Sequence, residues 1–295
     1  MLVVMAFWAA NFIVVKAAIA QIPPVSFAFL RFGLAALTLL ALLRWREGRL
    51  GLPRRDVLPI LGLGALGFGI YQILWSVALQ QIPAGDSALL IATTPVITAL
   101  LAVTNGADTL TRTKLLGSLV SFAGVGVIVS AGHGLSLGSA LVGDALTLVA
   151  ALCWSIYTAY GAPILRRHSP LRTTAWAMVG GALVLAVPGT WQAIGVDWGG
   201  VTSDAWAGLA FSAFLPAGVA NVVVFNAIRL LGPTRITAYQ FLVPFMAVVL
   251  GAVLLAEPVR IDQLLGGVVI VLGVAISRTD RVTAFGGWLR DRATS

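Results

Sequence analysis

About ten stretches of roughly twenty mostly apolar residues fill this chain, and they form two copies of one five-segment pattern. Pro95 to Ser130 aligns without a gap on Pro244 to Thr279, at an offset of 149 residues. That alignment pairs Pro95 with Pro244, Asp108 with Glu257, Leu116-Gly117 with Leu265-Gly266, and Gly124 with Gly273. The first segments align at an offset of 146, bringing Trp8 onto Trp154 and Pro24 onto Pro170. An α-helix needs about twenty residues to cross the hydrocarbon core of a bilayer, so the pattern predicts a duplicated bundle of spanning helices. Transmembrane strands would instead show alternating segments of about ten residues, and the sequence has none.

Composition points the same way. Of the 295 residues 59% are hydrophobic and 10% charged, with a mean hydropathy of +0.97. A soluble domain carries about 25% charged residues. The net charge of +8 would suggest a nucleic-acid partner in a soluble protein. Here the basic residues gather in loops, where they set orientation in the membrane, so membrane lipid is the expected partner and nucleic acid is not. Cys153 is the single cysteine, which excludes an internal disulfide and a cysteine-based metal site. The run from Leu2 to Ile22 lacks a basic start and a clean cleavage site, and reads as the first spanning helix rather than a signal peptide.

The expected spans are 2–22, 26–43, 57–79, 85–105, 114–131, 142–162, 172–192, 205–228, 234–255 and 261–278, punctuated by prolines such as Pro23-Pro24, Pro53, Pro83, Pro170, Pro233 and Pro258. With the N-terminus in the cytoplasm, sixteen basic residues fall on the cytoplasmic side, against Arg260 alone on the other. Shifting the helix count by one destroys this asymmetry, which the positive-inside rule demands. Lys16 and Arg31 are placed near the outer ends of the first two helices. The fold expected is therefore an all-α integral membrane protein of ten transmembrane helices, with both termini cytoplasmic. Five is odd, so the two repeats, 1–131 and 142–278, must be inverted relative to each other, and 279–295 forms a cytoplasmic tail. The turn from Gln80 to Gly85 carries no basic residue, whereas its counterpart in the second copy carries Arg229 and Arg235, as inversion requires.

Polar and aromatic side chains deep in such helices locate a cavity, because lipid leaves their polar atoms unsatisfied. Trp8 and Asn11 share one face of the first helix, and Trp154 and Tyr157 repeat that spacing in the sixth. Tyr71 and Trp75 in the third helix match Asn221 and Phe225 in the eighth. Gln72, Asn226, Tyr239 and Gln240 complete the candidate substrate-binding set. Each has a plainer reading: aromatics form interfacial belts, and amides bridge neighbouring helices. Thr93 and Thr94 are read as donors to carbonyls freed by Pro95, His133 and His168 as solvated loop residues, and Asp108 and Glu257 as structural groups. None of the eleven acidic residues falls at mid-helix, and no basic cluster lies inside the bundle. Such a pocket suits a small neutral or zwitterionic molecule with an apolar face, or an organic cation over a ring face, and disfavours phosphorylated substrates.

Taken together, Phe7-Trp8, Leu30-Arg31-Phe32, the Ala78 to Ala88 turn and the twice-repeated order of Pro, acidic residue and Leu-Gly resemble the EamA-type branch of the drug/metabolite transporter superfamily. The second copy departs from the pattern where Ala177 stands in the place of Arg31. Within the superfamily the chain is most similar to the YddG-type exporters of aromatic amino acids. That resemblance implies a multi-pass protein of the bacterial cytoplasmic (inner) membrane, without a cofactor or metal. It implies export of small metabolites such as amino acids by alternating access, with a monomer favoured. A proton-coupled multidrug or organic-cation exporter is the alternative. A membrane-embedded enzyme is disfavoured, since no His-Glu-x-x-His or serine-elbow motif is present.

Overall fold

The computed structural model describes residues 1–104, 111–133, 138–165, 167–231, 239–240 and 242–277, and all regular structure among them is helical. In chain order the helices are α1 (Leu2–Ala18), α2 (Pro24–Glu47) and α3, which runs from Arg54–Gly64 through a π-helical Ala65–Ile70 into Tyr71–Ala78. Then come α4 (Ala84–Ile91, broken, then Thr94–Thr104), α5 (Arg112–His133), α6 (Ser139–Leu165) and α7 (Pro170–Ala193). The last three are α8 (Ser203–Ser212, a π-helical Ala213–Ala220, Asn221–Leu231), α9 (Leu242–Leu255) and α10 (Ile261–Ser277). Seven of the described helices are long and apolar enough to cross a membrane, and α1, α9 and α10 are shorter apolar helices. The outer faces carry exposed Leu37, Leu58, Val187, Trp191 and Val253, a surface that lipid covers at no cost and water does not.

Local chemistry sets the helix ends. Pro23, Pro53 and Pro83 precede α2, α3 and α4, where a missing N–H leaves no intrahelical bond unmade. Ser169 and Thr202 cap α7 and α8, their hydroxyls accepting from the backbone N–H of Arg172 and Ala205. Within α4, Pro95 cannot donate to the Ile91 carbonyl, and the Thr94 hydroxyl donates there instead at 2.6 Å. The Thr93 hydroxyl donates to the Leu90 carbonyl at 2.7 Å, beside the Thr93 N–H, so Thr94 alone serves the carbonyl that Pro95 frees.

Helices that correspond in the two copies pack against each other. Helix α2 lies along α7, and α5 along α10; α1 meets α8 and α9, while α6 meets α3 and α4. Each of these contacts has its counterpart under exchange of the copies. Both central pairs run antiparallel. Near the start of α2, the Val25 N–H donates to the Gln192 amide oxygen at 3.0 Å and the Ser26 hydroxyl to the Gly189 carbonyl at 2.7 Å. At its other end Glu47 pairs with Arg172 at 3.0 Å. Along α5 and α10 the register is written in glycine: Gly117 faces the Gly273 carbonyl and Gly124 the Gly266 carbonyl, with no room for a Cβ on any of the four. Small residues at a seam let two backbones approach, the main route to tight helix packing where lipid removes the hydrophobic drive. In α3, Gly64, Gly67 and Gly69 likewise sit against Ala177, Tyr157 and Val184.

Two clusters of charge mark the ends of the bundle. At one, the buried Asp56 carboxylate lies 3.0 Å from Arg167 and 2.8 Å from the His168 ring nitrogen. His168 is therefore a partnered, largely buried group rather than a solvated one, because the α6–α7 turn folds onto the start of α3. At the other end Lys16 donates to Glu257 at 2.6 Å, and Arg260 reaches Asp86 at 3.5 Å. Asp108 and His133, singled out from sequence, lie outside the described side chains.

The α5–α10 seam makes a direct prediction. Gly273→Leu must overpack it, at a cost of roughly 1–3 kcal/mol or more, and should lower the melting temperature and monodispersity of the detergent-purified protein. On the same α5 a Cβ at Gly126 meets nothing within 4 Å, and Gly126→Leu should leave both unchanged.

Candidate functional site

A cavity of about 410 Å³ lies between the two copies, within the range of small-molecule sites. It is lined by residues of α1, α2, α3, α4, α6, α7, α8 and α9, with Lys114 and Ser277 from the ends of α5 and α10. Nine of the eleven residues expected from sequence line it: Trp8, Asn11, Tyr71, Gln72, Trp75, Trp154, Tyr157, Asn221 and Gln240. Asn226 and Tyr239 do not. Asn226 is exposed and sits five positions after Asn221, a rotation of about 140° around α8 that carries it off the cavity face. Tyr239 is 40% exposed and stands about 100° from Gln240, its neighbour in the chain. Phe225 lies outside the described side chains.

One wall is a continuous run of rings. Trp75 stacks on Tyr71 with centroids 6.2 Å apart, Tyr71 meets Trp154 at 5.7 Å, and Trp154 meets Tyr157 at 5.3 Å. Phe68 closes the run, 5.1 Å from Tyr157 and 5.5 Å from Phe32. Ring pairs at these separations pack edge to face or offset, which makes the wall stiff as well as apolar. Gly67 is what lets Tyr157 lie so close to α3: a Cβ there would strike the ring.

The facing polar groups are organised by α8. Pro216 has no N–H for the carbonyl of Ser212, and the π-helical segment around it leaves further carbonyls open. The Nε of Arg31 donates to the Ser212 carbonyl at 3.3 Å. Trp8 Nε1 donates to the Pro216 carbonyl at 3.3 Å, as does Asn221 Nδ2 at 3.1 Å. The Ser212 hydroxyl donates to the Asn11 amide oxygen at 2.6 Å, and Arg31 Nη1 to the Gln72 amide oxygen at 3.4 Å. Asn11 and Gln72 thus bridge helices and line the cavity at once, whereas Asn221 donates within α8, to the Pro216 and Ala217 carbonyls.

Sequence reasoning misplaced Arg31. Counting residues from the helix end put it near the outer rim, but it is 5% exposed and lines the cavity, held there by the carbonyl that Pro216 frees. Lys114 also lines the cavity, so the interior is not without cations. The available signal for Arg31 was its register: an arginine inside an apolar helix, seven residues past Pro24, needs a polar surrounding.

The cavity reaches toward the end of the bundle marked by Asp56 and His168, where Ile60, Ile164 and Thr173 line it, and stops short of the other. That other end is closed by the Glu257 carboxylate, which accepts from Lys16 Nζ and from the backbone N–H of Ala84 at 3.0 Å. Lys16 Nζ also donates to the Ile82 carbonyl at 2.7 Å. Ala256 takes a left-handed φ of 53°, the turn that sends Glu257 back toward α4. The carboxylate therefore neutralises the start of α4 and ties α1, α4 and the segment after α9 together. Glu257→Ala should cost roughly 1–3 kcal/mol, seen as a lower melting temperature in detergent, while Glu257→Gln, which keeps an acceptor for Ala84, should lose less.

Comparison with known proteins places this architecture. The EamA-like transporter family matches residues 1–130 and 141–279. The "Uncharacterized transporter YyaM" of Bacillus subtilis is 27% identical over 271 residues, covering 91% of this chain and 88% of that protein. The "Probable terminal-alkyne amino-acid exporter" of Streptantibioticus cattleyicolor is 32% identical over 226 residues, covering 76% of this chain and 74% of that protein. A solved crystal structure shares the fold with a TM-score of 0.64 at 17% identity, covering 93% of each chain. With its apolar multi-helix bundle and this match across both halves, the chain is a multi-pass membrane protein belonging to the EamA-like transporter family.

Proposed function

We propose that this protein exports small neutral or zwitterionic metabolites, in the first place amino acids with apolar or aromatic side chains, across the bacterial inner membrane. The cavity between the copies carries this reading: one stiff aromatic wall faces a set of amides, with little charge. The similarity to a protein named as an amino-acid exporter supports the substrate class. In this reading the ten helices form two inverted repeats, 1–131 and 142–278, with both termini and the 279–295 tail in the cytoplasm. The antiparallel pairing of α2 with α7 and of α5 with α10 supports inversion. With the basic loops inside, the cavity faces the cytoplasm and the Lys16–Glu257 contact closes the outer end. Export then requires that this contact part while the inner end closes, so that the two halves alternate around one site.

No coupling ion is needed. A zwitterion carries no net charge, so the membrane potential, about 2.3 kcal/mol per charge per 100 mV, neither drives nor opposes it. A tenfold excess inside supplies about 1.4 kcal/mol, enough for facilitated efflux. An organic cation, the substrate of the alternative exporter, would have to approach the buried Arg31 guanidinium.

The reading is tested by efflux of labelled neutral amino acids from liposomes holding the purified protein. Saturable efflux independent of an imposed proton gradient is expected; transport that depends steeply on that gradient sinks the uncoupled mechanism. Tyr157→Phe keeps the packing on Gly67 and removes a hydroxyl with no partner among the described residues. It should cut flux by about tenfold, the worth of one hydrogen bond to a charged group. Trp154→Ala together with Tyr157→Ala should abolish flux in a protein that remains monodisperse.

A further inference from the structure

We propose that Arg31 is the carboxylate anchor of the cavity, so that a free carboxylate on the substrate, and not only an apolar face, is what the site selects. This deepens the proposed function and rests on it. The argument begins with charge. Arg31 lines the cavity while only 5% exposed, and among the described residues no carboxylate stands within ion-pair distance of it. Three half-buried cations outside the cavity are served differently: Lys16 has Glu257, Arg172 has Glu47, and Arg260 has Asp86 and Asp262. A buried cation without a counter-ion is among the costliest groups a membrane bundle can carry, and such residues mark sites of function.

The hydrogen bonds of Arg31 leave capacity for a ligand. Nε reaches the Ser212 carbonyl at 3.3 Å and Nη1 the Gln72 amide oxygen at 3.4 Å, both long and both to neutral acceptors. A guanidinium has five N–H donors in a planar fork, so at least two remain, and Nη2 has no acceptor among the described residues. The fork is also held in place: its carbon sits 4.8 Å from the centre of the Phe32 ring, and Phe32 packs on Phe68. A preorganised fork that faces a cavity fits the two oxygens of a carboxylate. The same ring run that ends at Phe32 offers Tyr71, Trp154 and Tyr157 to the rest of the molecule, where an apolar side chain can pack and an ammonium can face a ring. The buried Tyr157 hydroxyl, without a partner among the described residues, is a second polar atom awaiting a ligand. A planar fork at depth matches the two oxygens of one carboxylate. The site therefore takes amino acids or other small apolar carboxylates, and rejects the same molecules once the carboxylate is masked as an amide.

The test uses the full-length protein in liposomes, preloaded with labelled L-phenylalanine or L-leucine and challenged with each acid and its carboxamide. In the wild type the acids should compete at least about tenfold better than the amides. R31Q should erase that preference, and R31K, which restores charge without the fork, should recover part of it. Amides that compete as well as the acids in the wild type overturn the anchor even if amino acids are carried, and this arm does not depend on how the variants fold. If neither labelled amino acid moves while a cationic dye does, the amino-acid reading itself falls, and the anchor falls with it.

Discussion

In a bilayer every backbone carbonyl that loses its helical partner must find another donor, and most of the site follows from that constraint. Pro216 and the π-helical segment of α8 open carbonyls at Ser212 and Pro216. Side chains from α1, α2 and α8 itself supply the donors, in Trp8, Arg31 and Asn221. The same bonds that satisfy the backbone turn these side chains toward one cavity and lock α8 to the first copy. The break in α4 obeys the same rule more cheaply, since Thr94 repairs it locally and leaves that stretch free to pack.

The two ends of the bundle are held by different means. At one, Asp56 gathers Arg167 and His168, and Glu47 gathers Arg172, contacts that join α2 and α3 to the start of α7. At the other, Glu257 bridges Lys16 and the first N–H of α4, and Arg260 reaches Asp86 and Asp262. The glycine seam of α5 with α10 is held differently again, with Gly117, Gly124, Gly266 and Gly273 letting backbone lie against backbone.

Much of the fold could be read in the chain. The expected spans meet the described helices within a few residues except at the ninth, where residues 232–238 lie outside the description. The contacts of α1 with α8 and α9 mirror those of α6 with α3 and α4. Nine cavity residues were legible because a spacing of three or four on an apolar helix places polar side chains on one face. Asn226 and Tyr239 failed because a single position is a turn of about 100°, and an apolar helix surrounded by other helices gives no hydropathy signal for which face looks inward.

Composition and segment length by themselves determined the environment and the helical class, since the length and apolarity of a spanning segment depend only on the bilayer and the chain. Tertiary structure alone decided where the charges stand. Arg31 looks like a rim residue in one dimension and is a cavity residue in three, because the carbonyl that receives it lies on α8, 181 positions away. His168 and Asp56, 112 positions apart, likewise become one cluster only when α6 and α7 turn back over α3. Partners so distant leave no local periodicity in the sequence; they are fixed by which helices pack together.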